Sequence, residues 1–192
     1  MAEALVALHY QNDIVHADGR IPFSLDRGGP EARQFLAASG HALSAARQKS
    51  LTTAHVHIGF AEDYSDMPAH APLLRKAAEL GALKRGSWGA TPFEGFEPTA
   101  DEIVVSHSCN SAFRNTGLEA QLRRSSVSRL YVMGLATQFS VEHTVRDAAD
   151  MGFAVTLLSD CCASGDMDAH RASLRTMAML ADIATSAALV GK

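Results

Sequence analysis

One stretch of the sequence decides the fold class: Ser128-Arg129-Leu130-Tyr131-Val132-Met133-Gly134-Leu135-Ala136-Thr137-Gln138-Phe139-Ser140-Val141. Residues 128–133 form a short apolar run typical of a buried strand, and Gly134 marks its end. A turn then leads into a predicted helix over residues 141–151. A buried strand that runs directly into a helix is the repeating unit of a parallel sheet, so this stretch predicts an α/β protein.

The same alternation of strands and helices continues in both directions along the chain. Strands are predicted at residues 4–8, 52–58, 103–105, 128–133 and 153–158, with a short last strand near 182–185. Helices are predicted at residues 30–48, 73–83, 117–124, 141–151 and 170–180. This pattern predicts a three-layer α/β fold, with a mostly parallel, Rossmann-like sheet and helices on both faces.

The chain is expected to form one domain over residues 1–192, since neither a repeat nor a linker divides it. Its 192 residues are 47% hydrophobic and 20% charged, the composition of a single globular domain. The net charge of −4 argues against nucleic acid as a partner. No apolar run is long enough to span a membrane. The long segment between the second and third strands is expected to be a lid or an oligomer contact.

The chain start and the cysteines predict a cytoplasmic protein. The first nine residues enter an apolar strand without a basic leader, which argues against a signal peptide. The cysteines number three, and the adjacent Cys161 and Cys162 are a pair of a kind that rarely forms a disulfide. We therefore expect free thiols in a reducing compartment.

Polar side chains follow the ends of several predicted strands. His9 comes directly after the first strand, His107 after the third, and Ser140 lies at the start of the helix after the fourth. Because ligands of open parallel sheets bind outside the carboxyl ends of the strands, these groups are candidates for one site. No glycine-rich phosphate loop follows a strand, and the sequence predicts no cofactor.

Five short motifs occur in order along nearly the whole chain. They are residues 4–13 (Ala-Leu-Val-Ala-Leu-His-Tyr-Gln-Asn-Asp), 86–90 (Gly-Ser-Trp-Gly-Ala), 111–118, 134–149, and 160–163 followed by His170. Together they resemble the isochorismatase-like family of cysteine hydrolases. The resemblance implies the fold described above, a small-molecule substrate, and a homo-oligomer, either a dimer or a tetramer.

The resemblance also implies where catalysis takes place, and there the sequence departs from the family. The family uses an Asp after the first strand, a Lys after the third, and a Cys at the helix start after the fourth. These positions correspond here to His9, His107 and Ser140. A serine needs a strong base near neutral pH, and an imidazole accepts a proton better than a typical carboxylate, so the exchanges are chemically coherent.

Three interpretations of these positions remain open. In the first, Ser140 is the nucleophile of an amide or ester hydrolase, with His9 as its base. In the second, protonated His9 donates a proton to a vinyl ether without a covalent step. In the third, the fold is catalytically inactive and serves as a binding or oligomeric scaffold.

Further residues are candidates for substrate binding. Trp88, Phe113 and Phe139 are candidate pocket walls, and polar groups after the first strand add Tyr10 and Gln11. By resemblance, a cis peptide is expected between Ala136 and Thr137, with backbone N–H groups beside Ser140.

Metal-ligating and thiol alternatives carry less weight. His55 and His57 lie on one face of a strand and form a possible metal pair, as do His9 and His107, but no further ligand stands out and no metal is predicted. Cys109 is an alternative nucleophile without a helix-start position. Cys162 is expected to be structural and buried.

Overall fold

The computed structural model describes residues 2–22, 25, 27 and 29–190. Its strands are β1 (Ala2–Leu8), β2 (Thr52–Ile58), β3 (Ile103–His107), β4 (Val127–Leu135), β5 (Ala154–Ala163) and β6 (Asp182–Ala184). Its helices are α1 (Asn12–Val15), α2 (Pro30–Gln48), α3 (Pro72–Glu79), α4 (Leu118–Arg124), α5 (Glu142–Asp150), α6 (Met167–Met177) and α7 (Ala187–Val190). A 3₁₀ turn at Trp88–Ala90 and a π-helical turn at Thr137–Val141 complete them.

The six strands form one sheet in the order β3-β2-β1-β4-β5-β6, and all neighbouring pairs are parallel. The predicted fold class is confirmed. Helices cover both faces of the sheet, and alternate residues of β1 therefore pack into different cores. Leu5 and Ala7 pack into the core that includes α2 and α3, while Val6 and Leu8 pack into the core that includes α4, α5 and α6.

Several predicted boundaries are wrong for local reasons. Gly134 does not end β4: the register shifts there, so Gly134 pairs with Cys162 and both strands run on. Helix α6 begins earlier than predicted because the Asp166 carboxylate accepts hydrogen bonds from the N–H groups of Asp168 and Ala169. Helix α3 ends at Glu79, short of the predicted Leu83, which has a left-handed backbone with φ 59°.

The order of the strands defines where the chain reverses direction across the sheet. From β1 it proceeds outward through β2 and β3, then returns to place β4 on the other side of β1. A crevice opens between neighbouring strands at such a switch point, outside their carboxyl ends. The crevice between β1 and β4 is bordered by His9 on one side and by residues 135–140 on the other.

Candidate active site

Two backbone features bring His9 and Ser140 to the crevice. His9 follows β1 with a left-handed φ of 63°, so the chain turns sharply at the strand end. Ser140 lies in the π-helical turn that leads from β4 into α5, in which the N–H of Val141 donates to the carbonyl of Ala136. Such π-helical turns are frequent at functional sites. The cis peptide is found between Leu135 and Ala136, one bond earlier than expected.

A small cavity of about 50 Å³ lies at this crevice. His9 and Ser140 both line it, while His107 lies behind His9 and does not. Of the fourteen described residues in its wall, only His9, Asn110 and Ser140 are polar. Helix α3, in the segment expected to be a lid or an oligomer contact, contributes Leu73 and Leu74 to the cavity wall.

The two buried imidazoles contact each other edge to edge. Nε2 of His9 lies 2.7 Å from Nε2 of His107, and Nδ1 of His107 lies 2.9 Å from the carbonyl of Ser111. A carbonyl only accepts, so Nδ1 of His107 carries the proton and its Nε2 is bare when the ring is neutral. The proton between the rings therefore belongs to Nε2 of His9, and Nδ1 of neutral His9 holds a lone pair.

Burial keeps both rings neutral. The pKa of His9 is lowered well below 6.5, first by burial and then by the nearby His107 and His57, while the Leu135 backbone, an acceptor for the protonated ring, acts in the opposite direction. Burial likewise lowers the pKa of His107 to about 4. A base is therefore available at neutral pH, whereas a protonated donor is not.

A chain of hydrogen bonds holds His107 in place. The Ser111 hydroxyl donates to Asp147 on α5 at 2.6 Å, and the neighbouring N–H of Ala112 donates to the Thr144 hydroxyl at 3.1 Å. The motif at residues 111–118 thus fixes the carbonyl that determines the tautomer of His107. Its contribution to the site is positional.

The hydrogen bond expected between Ser140 and an imidazole is not formed. Within the part of the chain that the structure describes, neither ring bonds the Ser140 hydroxyl, because Nε2 of His9 is directed at His107 instead. The Ser140 side chain is buried at the cavity wall. Catalytic hydrogen bonds are often long in a free enzyme and shorten when substrate binds.

Four of the predicted substrate-binding side chains are used to hold the fold. The Tyr10 hydroxyl donates to the carbonyl of Cys161 and accepts from the Ser39 hydroxyl, away from the cavity. The Gln11 amide is fully occupied by the backbone of Ile58 and Ala90. Thr137 donates to the carbonyl of Ala163 and contacts Nδ1 of His170, and Phe113 stacks on Phe153 in the core.

The remaining predicted substrate-binding residues differ in position. Ala136 and Phe139 line the cavity beside Ser140. Trp88 is 51% exposed and packs edge-on against His16, outside the cavity wall. Its carbonyl accepts a hydrogen bond from the Asn12 side chain, which links the motif at residues 86–90 to the motif at residues 4–13.

Asn110 is the polar cavity residue that sequence reasoning missed. It lies three residues beyond His107, in the irregular segment between β3 and α4, and is partly exposed. Its position after a strand end was an available signal. The cavity residues on α3 have no such signal in the sequence, because the packing of that helix over the strand ends depends on tertiary structure.

The metal and thiol alternatives find little support among the described residues, which hold no group of three or more potential metal ligands. Nε2 of His55 instead lies 3.0 Å from the Glu102 carboxylate, which also forms an ion pair with Arg47. Burial raises the pKa of Cys109, so its thiolate is disfavoured. Cys162 is buried, as expected.

Comparison with known proteins places this geometry in context. The family model described as Isochorismatase domain matches residues 3–188. A stretch of 104 residues is 33% identical to a protein named Ureidoacrylate amidohydrolase RutB from Acinetobacter baylyi, and covers 53% of this chain but 42% of that protein. A protein named Uncharacterized isochorismatase family protein YecD from Escherichia coli O157:H7 is 27% identical over 161 residues, covering 82% of this chain and 80% of that one.

A solved structure shares the fold along the whole chain. It is described as an isochorismatase family protein from Desulfovibrio vulgaris, with a TM-score of 0.85 and 24% identity, covering 99% of this chain and 97% of that one. In the described ranges of the present structure, no helix has both the length and the apolar character needed to cross a membrane.

Proposed function

The chain belongs to the isochorismatase family, and on that premise we propose that it hydrolyses a small amide or ester with Ser140 as nucleophile and His9 as general base. The observation that carries the proposal is the joint presence of His9 and Ser140 in the wall of one cavity at the switch point of the sheet. A relative named as an amidohydrolase supports the choice of reaction.

In the proposed mechanism, the neutral His9 accepts the Ser140 proton at Nδ1 as the hydroxyl oxygen attacks the carbonyl carbon of the substrate. Nε2–H of His9 continues to donate to His107, which orients the ring much as a buried carboxylate orients the base of a serine hydrolase. Protonated His9 then donates to the leaving group, and an acyl-enzyme forms at Ser140. In the second half of the cycle, water attacks the acyl carbon with His9 again as base. The bond to the Ser140 oxygen then breaks, His9 returns the proton to that oxygen, and the carboxylic acid leaves.

The turn after β4 is suited to stabilise the oxyanion of that attack. It opens a helix, and the first N–H groups of a helix have no partner within the helix. In the proposal, backbone N–H groups of Ala136 and Thr137 donate to the oxyanion, so both residues contribute through the backbone. Thr137 is fixed for this task by its hydrogen bonds to Ala163 and His170.

The other two interpretations are less consistent with the site. Acid catalysis on a vinyl ether needs a protonated donor, and burial disfavours protonation of His9 at neutral pH. A scaffold without catalysis predicts a cavity filled by side chains, whereas His9 and Ser140 face an open volume. A homo-oligomer in the cytoplasm remains part of the proposal.

The test is a panel of activated esters and amides with wild type, Ser140→Ala, His9→Ala and the double variant. Each single variant should lose at least about a hundredfold in kcat/KM, and the double variant should be little worse, because the two groups act as a unit. Additive losses, or full activity of Ser140→Ala, would contradict the proposal.

A further inference from the structure

The cavity wall carries information about the substrate beyond the reaction type. Apart from His9, Asn110 and Ser140, its described side chains are aliphatic or aromatic. Ile14 lies on α1, Ile58 is the last residue of β2, Leu74 lies on α3, and Phe139 lies in the turn that bears Ser140. None of the described wall residues is charged.

Arg27 and Arg85, which contact the backbone of wall residues or their neighbours, are engaged elsewhere. The guanidinium of Arg27 donates to backbone carbonyls of Asp13, Ile14, Gly19 and Ile21, so its donors are consumed behind the wall. Arg85 bonds the carbonyl of Gly59 at 2.8 Å and forms an ion pair with Asp66 at 2.6 Å. In the sequence, the undescribed positions of the segment 23–28 are Phe23, Ser24, Asp26 and Gly28, and they add no positive charge.

Burying a carboxylate without a cation or several donors is costly, whereas an alkyl group gains from leaving water. The cavity is also small, at about 50 Å³, and a water molecule needs roughly 10–15 Å³ of such space. It therefore suits a short alkyl chain and excludes a charged one.

Asn110 supplies a neutral polar contact in this apolar wall. Its side chain has no hydrogen-bond partner among the described residues, and it shares the cavity with Ser140. A carboxamide both donates and accepts, so it is able to bind the C=O or the NH of a substrate amide without requiring a charge.

We propose that the site takes short, uncharged acyl amides or esters, with the alkyl chain against α3 and Asn110 bonding the amide or ester group, and that it rejects substrates with a carboxylate on the acyl chain. This inference rests on the proposed function, because attack by Ser140 sets the orientation of the substrate in the cavity.

A matched pair of ligands tests the inference without turnover. Butyramide and succinamate differ by a terminal methyl group against a carboxylate, and their binding to Ser140→Ala and to wild type is measured by ligand-observed NMR titration. Butyramide should bind at least about tenfold more tightly, because only succinamate must bury a charge. Equal affinities, tighter succinamate binding, or no butyramide binding at millimolar concentration would overturn the inference.

Variants of the half-buried Leu73 provide the control. Leu73→Lys places a cation at the cavity while its ammonium can reach water, and should remove the preference for butyramide; Leu73→Met, of similar length but uncharged, should keep it. Asn110→Leu should weaken butyramide binding about fivefold. An unchanged preference in Leu73→Lys would count against the assignment of α3 to the alkyl chain.

Turnover separates the two proposals. The p-nitrophenyl esters of butyrate and succinate are compared with wild type. Selective butyramide binding without hydrolysis of either ester or of butyramide would support the preference for uncharged ligands and contradict the proposed hydrolase function. Hydrolysis of both esters at similar rates would support the hydrolase function and contradict the preference.

Discussion

At the residue scale, the proton affinity of His9 decides which chemistry the site can perform. An ordinary imidazole titrates near 6.5, and from sequence alone the activity is expected to rise through that pH. Burial and the neighbouring His107 lower the pKa of His9 well below that value. The rate should therefore already be constant at pH 6.5 and fall only at lower pH, as His9 gains a proton. A pH–rate profile of kcat/KM on an activated ester tests this; a fall that begins near 6.5 would contradict the assignment.

The neighbour of His9 offers a second prediction at this scale. In His107→Glu, a carboxylate would accept from Nε2 of His9 and stabilise its charged form, so the acid limb of the profile should move to higher pH. His107→Gln is the matched control, since its amide oxygen accepts the same hydrogen bond without a charge. We expect a shift of the limb in the glutamate variant that the glutamine variant does not show. Equal limbs in both variants would mean that His107 does not act on His9.

At the element scale, the close approach of β1 and β4 positions both sides of the cavity. Gly134 has a φ of 141°, and a Cβ there would lie 2.3 Å from the carbonyl oxygen of Leu8. Gly134→Ala should destabilise the protein by about 2 kcal/mol or more through strain and overlap. Gly152→Ala is the control, with a φ of 80° but nothing within 4 Å of the added atom, and should cost about 1 kcal/mol. Urea unfolding measures both, and equal losses would refute the role of the contact.

The elements also show how far sequence patterns reach. The bounds of β2 and α2 agree with prediction because their patterns are continuous and their ends have clear signals, such as Pro30. The strand-end rule likewise identified His9 and Ser140 as groups of one cavity. Sequence could not reveal that Tyr10 and Gln11 face structural partners, since that depends on how distant segments pack. The motifs shared with the family include such structural residues, so resemblance alone does not separate them from substrate contacts.

At the scale of the whole molecule, the buried histidines make stability depend on pH. The unfolded chain binds protons at its histidines as the pH falls below about 6.5, whereas folded His107 does so only near its pKa of about 4. Stability is therefore full above 6.5 and declines between 6.5 and 4. For His107 the loss at about pH 4.5 amounts to roughly 2–3 kcal/mol.

Urea unfolding at the two ends of that window measures this decline. His107→Gln should show a smaller loss than wild type, because the glutamine does not titrate. Glu102, with a pKa lowered from 4.5 to about 2 in the folded protein, loses its contribution mainly between pH 4.5 and 2. That loss is common to wild type and variant, so the comparison between them removes it. An identical decline in the variant and in wild type would show that His107 is not the cause.

The account as a whole depends on a covalent step at Ser140, and trapping that step tests it most directly. Wild type is mixed with p-nitrophenyl butyrate, quenched in acid and analysed by intact-mass and peptide mass spectrometry. The account predicts one butyryl group on Ser140, its absence from Ser140→Ala, and its slower appearance in His9→Ala. A butyryl group on Cys109, or turnover by Ser140→Ala at the wild-type rate, would contradict it.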